Sequence, residues 1–276
     1  MTRATIGHPR ATHSGSTGTY AMVNGLNLYY EIHGAGLPLI LLHGGVGASE
    51  MFGLLLTKLA EDRLVIAVHL QAHGRTTDID RPLSFELMAD DINELMKHLE
   101  FEKADILGYS LGGGVALQTA IRHPEIVRKL VLVSTPFKRI GWYPEVLEEM
   151  AQMSPEVAKL MKQSPLNQLY PDTDWTVLFT KIGDLLRQDY DWSKDVAAIK
   201  SPMMLVFADA DAVHTVHIME FYALLGGGQR DAGMDGSGRP TGQLAVLPGM
   251  THYNILSFPT LDELITKFID IPMPKD

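Results

Sequence analysis

Residues 104–123 read ADILGYSLGGGVALQTAIRH. The first part, Ala104–Gly108, reads as a buried strand. The last, Leu111–His123, is helical in pattern and stops before Pro124, which cannot continue a helix. Between them lies Gly108-Tyr109-Ser110-Leu111-Gly112, a G-x-S-x-G spacing at which a strand must reverse sharply into a helix. Such a reversal holds the central serine in a strained backbone conformation, and the glycines two residues to either side let strand and helix approach without Cβ clashes. Ser110 then stands at a helix N-terminus, where free N–H groups and the helix dipole favour developing negative charge. Outside that setting the same five residues would be a chance loop whose serine merely caps a helix.

Upstream, Leu37–His43 and Leu64–His69 are nearly unbroken apolar runs of the kind buried on both faces of a parallel sheet. Thr19–Val23 and Leu26–His33 flank Asn24-Gly25, a dipeptide suited to a type I′ hairpin turn. Helical patterns cover Ser49 to about Glu61, with Ser49 as N-cap, and Ser84–Phe101, where Phe85, Met88, Ile92, Leu95 and Leu99 share one face. Downstream, Leu130–Ser134 reads as a strand, and the alternation breaks at Pro136. Residues 137–200 are helical in pattern and hold Trp142, Trp175 and Trp192, all the tryptophan of the chain. The alternation resumes with Met203–Ala208, a helix over Val216–Leu225, a strand at Leu244–Leu247 and a closing helix from about Leu261 to Ile269. This order predicts an α/β fold: a mostly parallel central sheet with helices on both faces and an inserted helical cap. The expected units are a flexible arm over 1–18, a core formed by 19–136 with 201–276, and the cap over 137–200. The glycine-rich stretch 226–242 reads as a mobile surface loop.

A chain of 276 residues allows one large domain or two small ones, and 46% hydrophobic against 20% charged residues excludes wholesale disorder. The 23 Lys+Arg against 33 Asp+Glu give a net charge of −10, which argues against nucleic acid or an anionic membrane as partner. With no Cys there is no disulfide framework, Cys-ligated zinc, iron–sulfur cluster or thiol nucleophile. No apolar run approaches the roughly 18 residues of a spanning helix. The N-terminal MTRATIGHPRATHSGSTG has no apolar stretch after its arginines, so a secretory signal peptide is not expected and the cytoplasm is the simplest location.

With these elements and the Gly108–Gly112 motif, the chain resembles the α/β-hydrolase superfamily over nearly its whole length. The resemblance makes Ser110 the nucleophile. It makes His43-Gly44-Gly45 the oxyanion loop, with the amides of Gly45 and Leu111 as donors to an oxyanion. Asp211, in Phe207-Ala208-Asp209-Ala210-Asp211, matches the acid of the triad, with Asp209 of the same loop as its competitor. His252, in Pro248-Gly249-Met250-Thr251-His252, matches the base, and the order Ser…Asp…His is that of the superfamily. There are departures: the superfamily's strand-end Asp and following Gly-His-Gly are here His69 and Ala72-His73-Gly74. His69 with His73, and His214 with His217, have spacings a metal could use, but neither pair has an H-E-x-x-H pattern or an evident acidic third ligand, so no metal is expected.

The implied chemistry is acyl transfer on a small to medium carboxylic ester, a small-molecule substrate, through an acyl-enzyme on Ser110 and without an organic cofactor. A serine at this place counts against the epoxide hydrolases and haloalkane dehalogenases of the same fold. The cap residues Trp142, Tyr143, Met150, Met153 and Met161, with Tyr170 and Trp175, are candidates to line an apolar pocket. Three alternatives stand beside the ester reading. Lactone hydrolysis is the same reaction. Carbon–carbon cleavage of a vinylogous diketone acid is suggested by His43-Gly44-Gly45-Val46-Gly47-Ala48, and would need Arg139 or Arg187 against the carboxylate. The third is a ligand receptor with a vestigial triad.

Overall fold

In the computed structural model, which describes residues 17–273, β1 (Thr17–Val23) and β2 (Leu26–His33) pair antiparallel, with Tyr20 opposite Tyr29. Asn24 and Gly25 between them have φ of 48° and 81°, the positive values a type I′ turn requires. Thr17 and Gly18 belong to β1 rather than to the expected arm, whose other residues, 1–16, lie outside the described ones.

Then come β3 (Leu37–Leu42), α1 (Gly53–Leu59), β4 (Arg63–Val68), α2 (Phe85–His98), β5 (Ala104–Tyr109), α3 (Leu111–Arg122) and β6 (Val127–Val133). Five helices follow with no strand among them: α4 (Pro144–Ala151), α5 (Pro155–Met161), α6 (Pro165–Leu169), α7 (Trp175–Arg187) and α8 (Ser193–Ala198). The chain returns to the sheet with β7 (Met203–Ala210), α9 (Thr215–Leu224), β8 (Gln243–Thr251) and α10 (Leu261–Asp270). The strands form one eight-stranded sheet in the order β1-β2-β4-β3-β5-β6-β7-β8, parallel from β4 onward along that order.

The inner strands are apolar at successive positions because both their faces are buried. Along β3, Leu39 and Leu41 enter one core cluster with α1 and α10, while Ile40 and Leu42 enter the other with α2 and α3. Each such side chain contributes about 1.5–3 kcal/mol by burial. On α2, Phe85, Met88, Ile92 and Leu95 are buried as their spacing predicts, and Ser84 caps the helix by accepting from the Leu87 amide at 3.2 Å.

Two local expectations are corrected. Ser49 does not cap an α-helix: residues Ser49–Phe52 form a 3-10 turn before α1, and the Ser49 hydroxyl lies 2.9 Å from Nε2 of buried His69. The last strand does not stop at Leu247. It runs on to Thr251, and Pro248-Gly249 forms an irregularity inside β8, where the pairing steps from Ala208↔Leu247 to Ala210↔Thr251. Residues 226–242 connect α9 and β8 without helix or strand. No helix among the described residues is long and apolar enough to cross a membrane.

Because β3, β5, β7 and β8 are parallel, the segments that follow them meet at one edge of the sheet. That edge carries Gly44-Gly45, Ser110, Asp211 and His252.

Candidate active site

Ser110 is the one residue between β5 and α3, and its φ of 53° and ψ of −117° carry the chain through the reversal. A non-glycine residue held there stores about 1–3 kcal/mol, which its surroundings must offset. They do so through bonds on both sides of the turn. The Ser110 amide donates to Val133 O at 2.9 Å, and Ser110 O accepts from the amides of Gly113 and Gly114 at 2.9 and 3.2 Å. The neighbouring glycines have no substitutes. A Cβ on Gly108 would come within 2.3 Å of Gly112 O, and one on Gly112 within 2.2 Å of Leu42 O.

Ser110 Oγ lies 3.1 Å from His252 Nε2, and His252 Nδ1 lies 3.2 Å from Asp211 Oδ1. The carboxylate can only accept, so Nδ1 carries the proton of the neutral ring and Nε2 is free to accept from Ser110 Oγ–H. Asp211 is held in turn: its Oδ2 accepts from Ser134 Oγ at 2.6 Å and from the Ala208 amide at 2.9 Å. His252 is fixed through its main chain, whose carbonyl accepts from the Tyr109 hydroxyl at 2.7 Å, and the Trp142 ring meets its imidazole edge-on at 5.4 Å. Burial raises the Tyr109 phenol well above its ordinary range, so it stays a donor. Asp209, the competing acid, bonds elsewhere. Its carboxylate accepts from the amides of Gly249 and Met250 at 3.0 and 3.2 Å, which also holds it below the usual carboxylate range.

Gly45 and Leu111 sit against each other: a Cβ on Gly45 would stand 3.9 Å from that of Leu111. Neither amide donates to another group among the described residues. The Gly44–Gly45 peptide is pinned from its other side. Gly44 O accepts from His43 Nδ1–H at 2.8 Å and from the Gly47 amide at 3.2 Å, while His43 Nε2 accepts from the Leu70 amide at 3.1 Å. A planar trans peptide with its carbonyl so held turns the Gly45 N–H the opposite way.

The histidines of the departing loop serve the protein interior. His69 Nδ1 accepts from the Arg75 amide at 3.0 Å and its Nε2 meets Ser49 Oγ. His73 Nδ1 bonds Gln71 O at 2.8 Å, and its buried Nε2 has no partner among the described residues. Burial lowers both rings to about 4. Ala72, which replaces the superfamily's glycine, takes φ of 65°, the conformation glycine suits. His217 stacks on Phe137 at 4.2 Å and His214 lies against Tyr143 at 3.9 Å.

A cavity of about 290 Å³ opens over Ser110 and His252. Trp142, Met150 and Met153 line it, as the sequence suggested. Tyr143 and Met161 do not: Tyr143 packs on His214 and Met161 against the core. Nor do Tyr170, whose hydroxyl bonds Glu50, and Trp175, whose Nε1 donates to Asn167 Oδ1 at 2.8 Å. Sequence reasoning missed Phe85, Ile182, Leu186, Tyr190 and Glu149 of the lining. Ile182 and Leu186 carried a signal, being four apart on one face of α7. Ser134 was also missed; its signal was its place at the end of a parallel strand. Among the described residues no Lys or Arg lines the cavity, and Glu149 is the one carboxylate that does.

Comparison with known proteins agrees with this fold. Among curated relatives, 2-hydroxymuconate semialdehyde hydrolase of Pseudomonas sp. (strain CF600) is 41% identical over 106 residues, 37% of this chain and 38% of that protein. Soluble epoxide hydrolase of Corynebacterium sp. (strain C12) is 34% identical over 116 residues, 41% of this chain and 40% of that protein. The matched stretch thus spans about two-fifths of these relatives' length. The solved enol-lactonase from Burkholderia xenovorans LB400 has a TM-score of 0.71 at 19% identity, over 91% of this chain and 99% of that one, a likeness of fold alone. A family model described as alpha/beta hydrolase fold matches residues 38–176, just over half of the sequence, and the chain belongs to that family.

Proposed function

We propose that the protein is a serine hydrolase that cleaves a small to medium, uncharged carboxylic ester, with residues 137–200 as a cap over the core formed by 19–136 and 201–276. The observation that carries the reading is the chain of contacts Ser110 Oγ–His252 Nε2 at 3.1 Å and His252 Nδ1–Asp211 Oδ1 at 3.2 Å, beneath a largely apolar cavity. His252 takes the Ser110 proton as Oγ bonds to the ester carbonyl carbon. The tetrahedral oxyanion is held by the amides of Gly45 and Leu111, each worth roughly 3 kcal/mol in the transition state. Collapse expels the alcohol, which leaves with the proton from His252, and a water activated by the same ring then releases the acid.

Cleavage of a carbon–carbon bond in a diketone acid is the rival that the semialdehyde-hydrolase relative favours. It needs a cation for the substrate carboxylate. Arg139 is bonded to Leu186 O at 3.0 Å and Arg187 to Asp184 at 2.7 Å, and neither lines the cavity. The test is turnover of p-nitrophenyl esters of increasing acyl length, with mass spectrometry after a fluorophosphonate probe. We expect kcat/KM to rise over the first few acyl carbons and then fall, and a single adduct on Ser110 that is absent from Ser110→Ala. Turnover surviving that substitution, or a roughly 100-fold preference for a ring-fission diketone acid, about 2.7 kcal/mol, would overturn the reading.

A further inference from the structure

Lys181 lies on α7, the helix that gives the cavity Ile182 and Leu186, and its ammonium reaches from the insertion to the core. Nζ donates to Asp78 Oδ2 at 2.6 Å, to Ile79 O at 2.8 Å and to Arg81 O at 2.6 Å. An ammonium has three N–H donors, and these three acceptors meet all of them. The bond to Asp78 is also an ion pair, which makes it the strongest of the three. The acceptors are themselves held. Gln71 Nε2 donates to Asp78 Oδ1 at 2.8 Å, Gln71 Oε1 accepts from Arg81 Nε at 2.6 Å, and the Arg81 guanidinium pairs with buried Asp91.

The same segment supports the Gly44-Gly45 loop, because the amide of Leu70, next to Gln71, donates to His43 Nε2 at 3.1 Å. Residues 70–81 therefore hold that loop and α7 together. The two meet at Gly45. Ile182, the residue after Lys181, is fully buried, and its Cδ1 is 3.9 Å from where a Cβ on Gly45 would stand. Gly183 packs so closely that a Cβ there would come within 2.5 Å of Met153 O, so α7 also backs the Met153 part of the lining. Thr173 Oγ1 donates to Gly74 O at 2.9 Å just before α7 begins, a second tie to the core. Adjacent side chains of a helix share one stiff backbone, so holding the ammonium also holds Ile182.

We infer that Lys181 is a positioning residue for the hydrolysis: by anchoring α7 to residues 78–81 it keeps Ile182 seated beside Gly45, where that apolar side chain excludes water from the oxyanion donors. Lys181 itself stands outside the cavity lining and acts through its neighbour. A hydrogen bond to a developing oxyanion is stronger where water is kept out. Loosening Ile182 should therefore weaken transition-state stabilisation more than substrate binding. This inference rests on the serine-hydrolase reading above, which supplies the oxyanion.

The experiment is a double-mutant cycle on p-nitrophenyl butyrate that pairs Lys181→Met with Ile182→Ala. Lys181→Met should lower kcat about tenfold while KM stays within about twofold. In the Ile182→Ala background the same change should cost less than about twofold, because the side chain through which Lys181 acts has gone. Asp78→Asn keeps Ile79 O and Arg81 O as acceptors and is the milder variant, carrying the cycle should Lys181→Met not fold. It should lower kcat about threefold, and again by less in the Ile182→Ala background. Hydrogen–deuterium exchange supplies a readout that needs no turnover: the amides of α7 should exchange faster in Lys181→Met than in the parent. Parent-like kcat in both variants, an equal cost in the two backgrounds, or a loss carried by KM overturns the proposal. If the parent turns over no ester but α7 exchange still rises in Lys181→Met, the anchor stands and the ester reading falls. Unchanged exchange overturns the anchor itself.

Discussion

Asp209 and Asp211 stand two residues apart at the end of one strand, yet only Asp211 reaches His252. Asp211 turns into the protein, with its side chain 1% exposed, and meets His252 Nδ1 at 3.2 Å. Asp209 stays at the surface and closes the irregularity of β8 by accepting from Gly249 and Met250. That irregularity sets where β8 ends, and with it where His252 emerges. One carboxylate therefore touches the imidazole while the other shapes the strand that delivers it.

Asp211→Asn should lower kcat by on the order of 10⁴, because an amide at Nδ1 leaves the imidazole in the wrong tautomer to take the serine proton. Asp209→Asn should leave kcat within about tenfold, since the exposed amide oxygen still accepts from one of the two backbone groups. Steady-state kinetics on a p-nitrophenyl ester, with thermal unfolding to show that both variants are folded, decides it. The reverse ranking would transfer the acid's role to Asp209.

The glycines near Ser110 differ in what they tolerate. A Cβ on Gly112 meets Leu42 O and His43 O at 2.2 and 2.4 Å, which are backbone atoms of β3 and its exit that cannot turn aside. Gly112→Ala should cost about 3 kcal/mol or more. At Gly45 the nearest atoms to a new Cβ are side-chain carbons at 3.9 Å. Gly45→Ala should unfold at nearly the parent temperature while keeping its N–H. Its methyl enters the cavity, so long acyl chains should lose more kcat/KM than acetate. Equal Tm values for the two variants would refute the distinction.

The elbow was legible because everything that makes it is local: an apolar strand, two glycines at fixed offsets and a helix that starts at once. The insertion was legible as helices but not as a wall. Which face of α4 or α7 looks at the cavity depends on packing against the core, so Trp142, Met150 and Met153 line it whereas Tyr143 is taken by His214 and Met161 by the core. Ser49 read as an N-cap by residue type. A buried imidazole 20 positions away outcompeted that local role, and sequence spacing carries no trace of the contact. The extension of β8 past Pro248 was hidden for a similar reason: Asp209, from the neighbouring strand, stabilises a bulge that proline and glycine alone read as a turn.

Buried imidazoles make stability depend on pH. Burial holds His69, His73 and His217 at about 4, and His43 well below its ordinary range. In the unfolded chain each titrates near 6.5. Above about pH 6.5 neither state protonates them and their contribution is complete. As pH falls toward 4 the unfolded chain binds protons that the folded protein does not, so stability is lost progressively. The slope is about 1.4 kcal/mol per pH unit for each such histidine. Buried Asp91 and Asp105, whose carboxyls are raised, act in the opposite sense toward more acid pH. Urea unfolding between pH 5 and 8 should show a net uptake of two or more protons near pH 5, reduced by about one in His73→Gln. A flat stability over that range would refute the assignment.

Glu149 sets the charge the cavity mouth accepts. Among the described residues it is the one carboxylate of the lining, no Lys or Arg lines the cavity to neutralise it, and it is exposed at the end of α4. An anionic acyl chain must therefore approach a like charge that water and salt only partly screen. Exposed charges act weakly and over about one Debye length, so the effect is a few-fold rather than orders of magnitude. The informative pair is p-nitrophenyl butyrate against the mono-p-nitrophenyl ester of glutaric acid, whose chain ends in a carboxylate. Glu149→Gln should raise kcat/KM for the anionic ester about threefold relative to the neutral one. Added salt should narrow the parent enzyme's discrimination toward that of the variant, because screening and neutralisation remove the same repulsion. If the ratio is unchanged by the substitution and by salt alike, the preference for uncharged esters does not come from Glu149, and the apolar lining alone accounts for it.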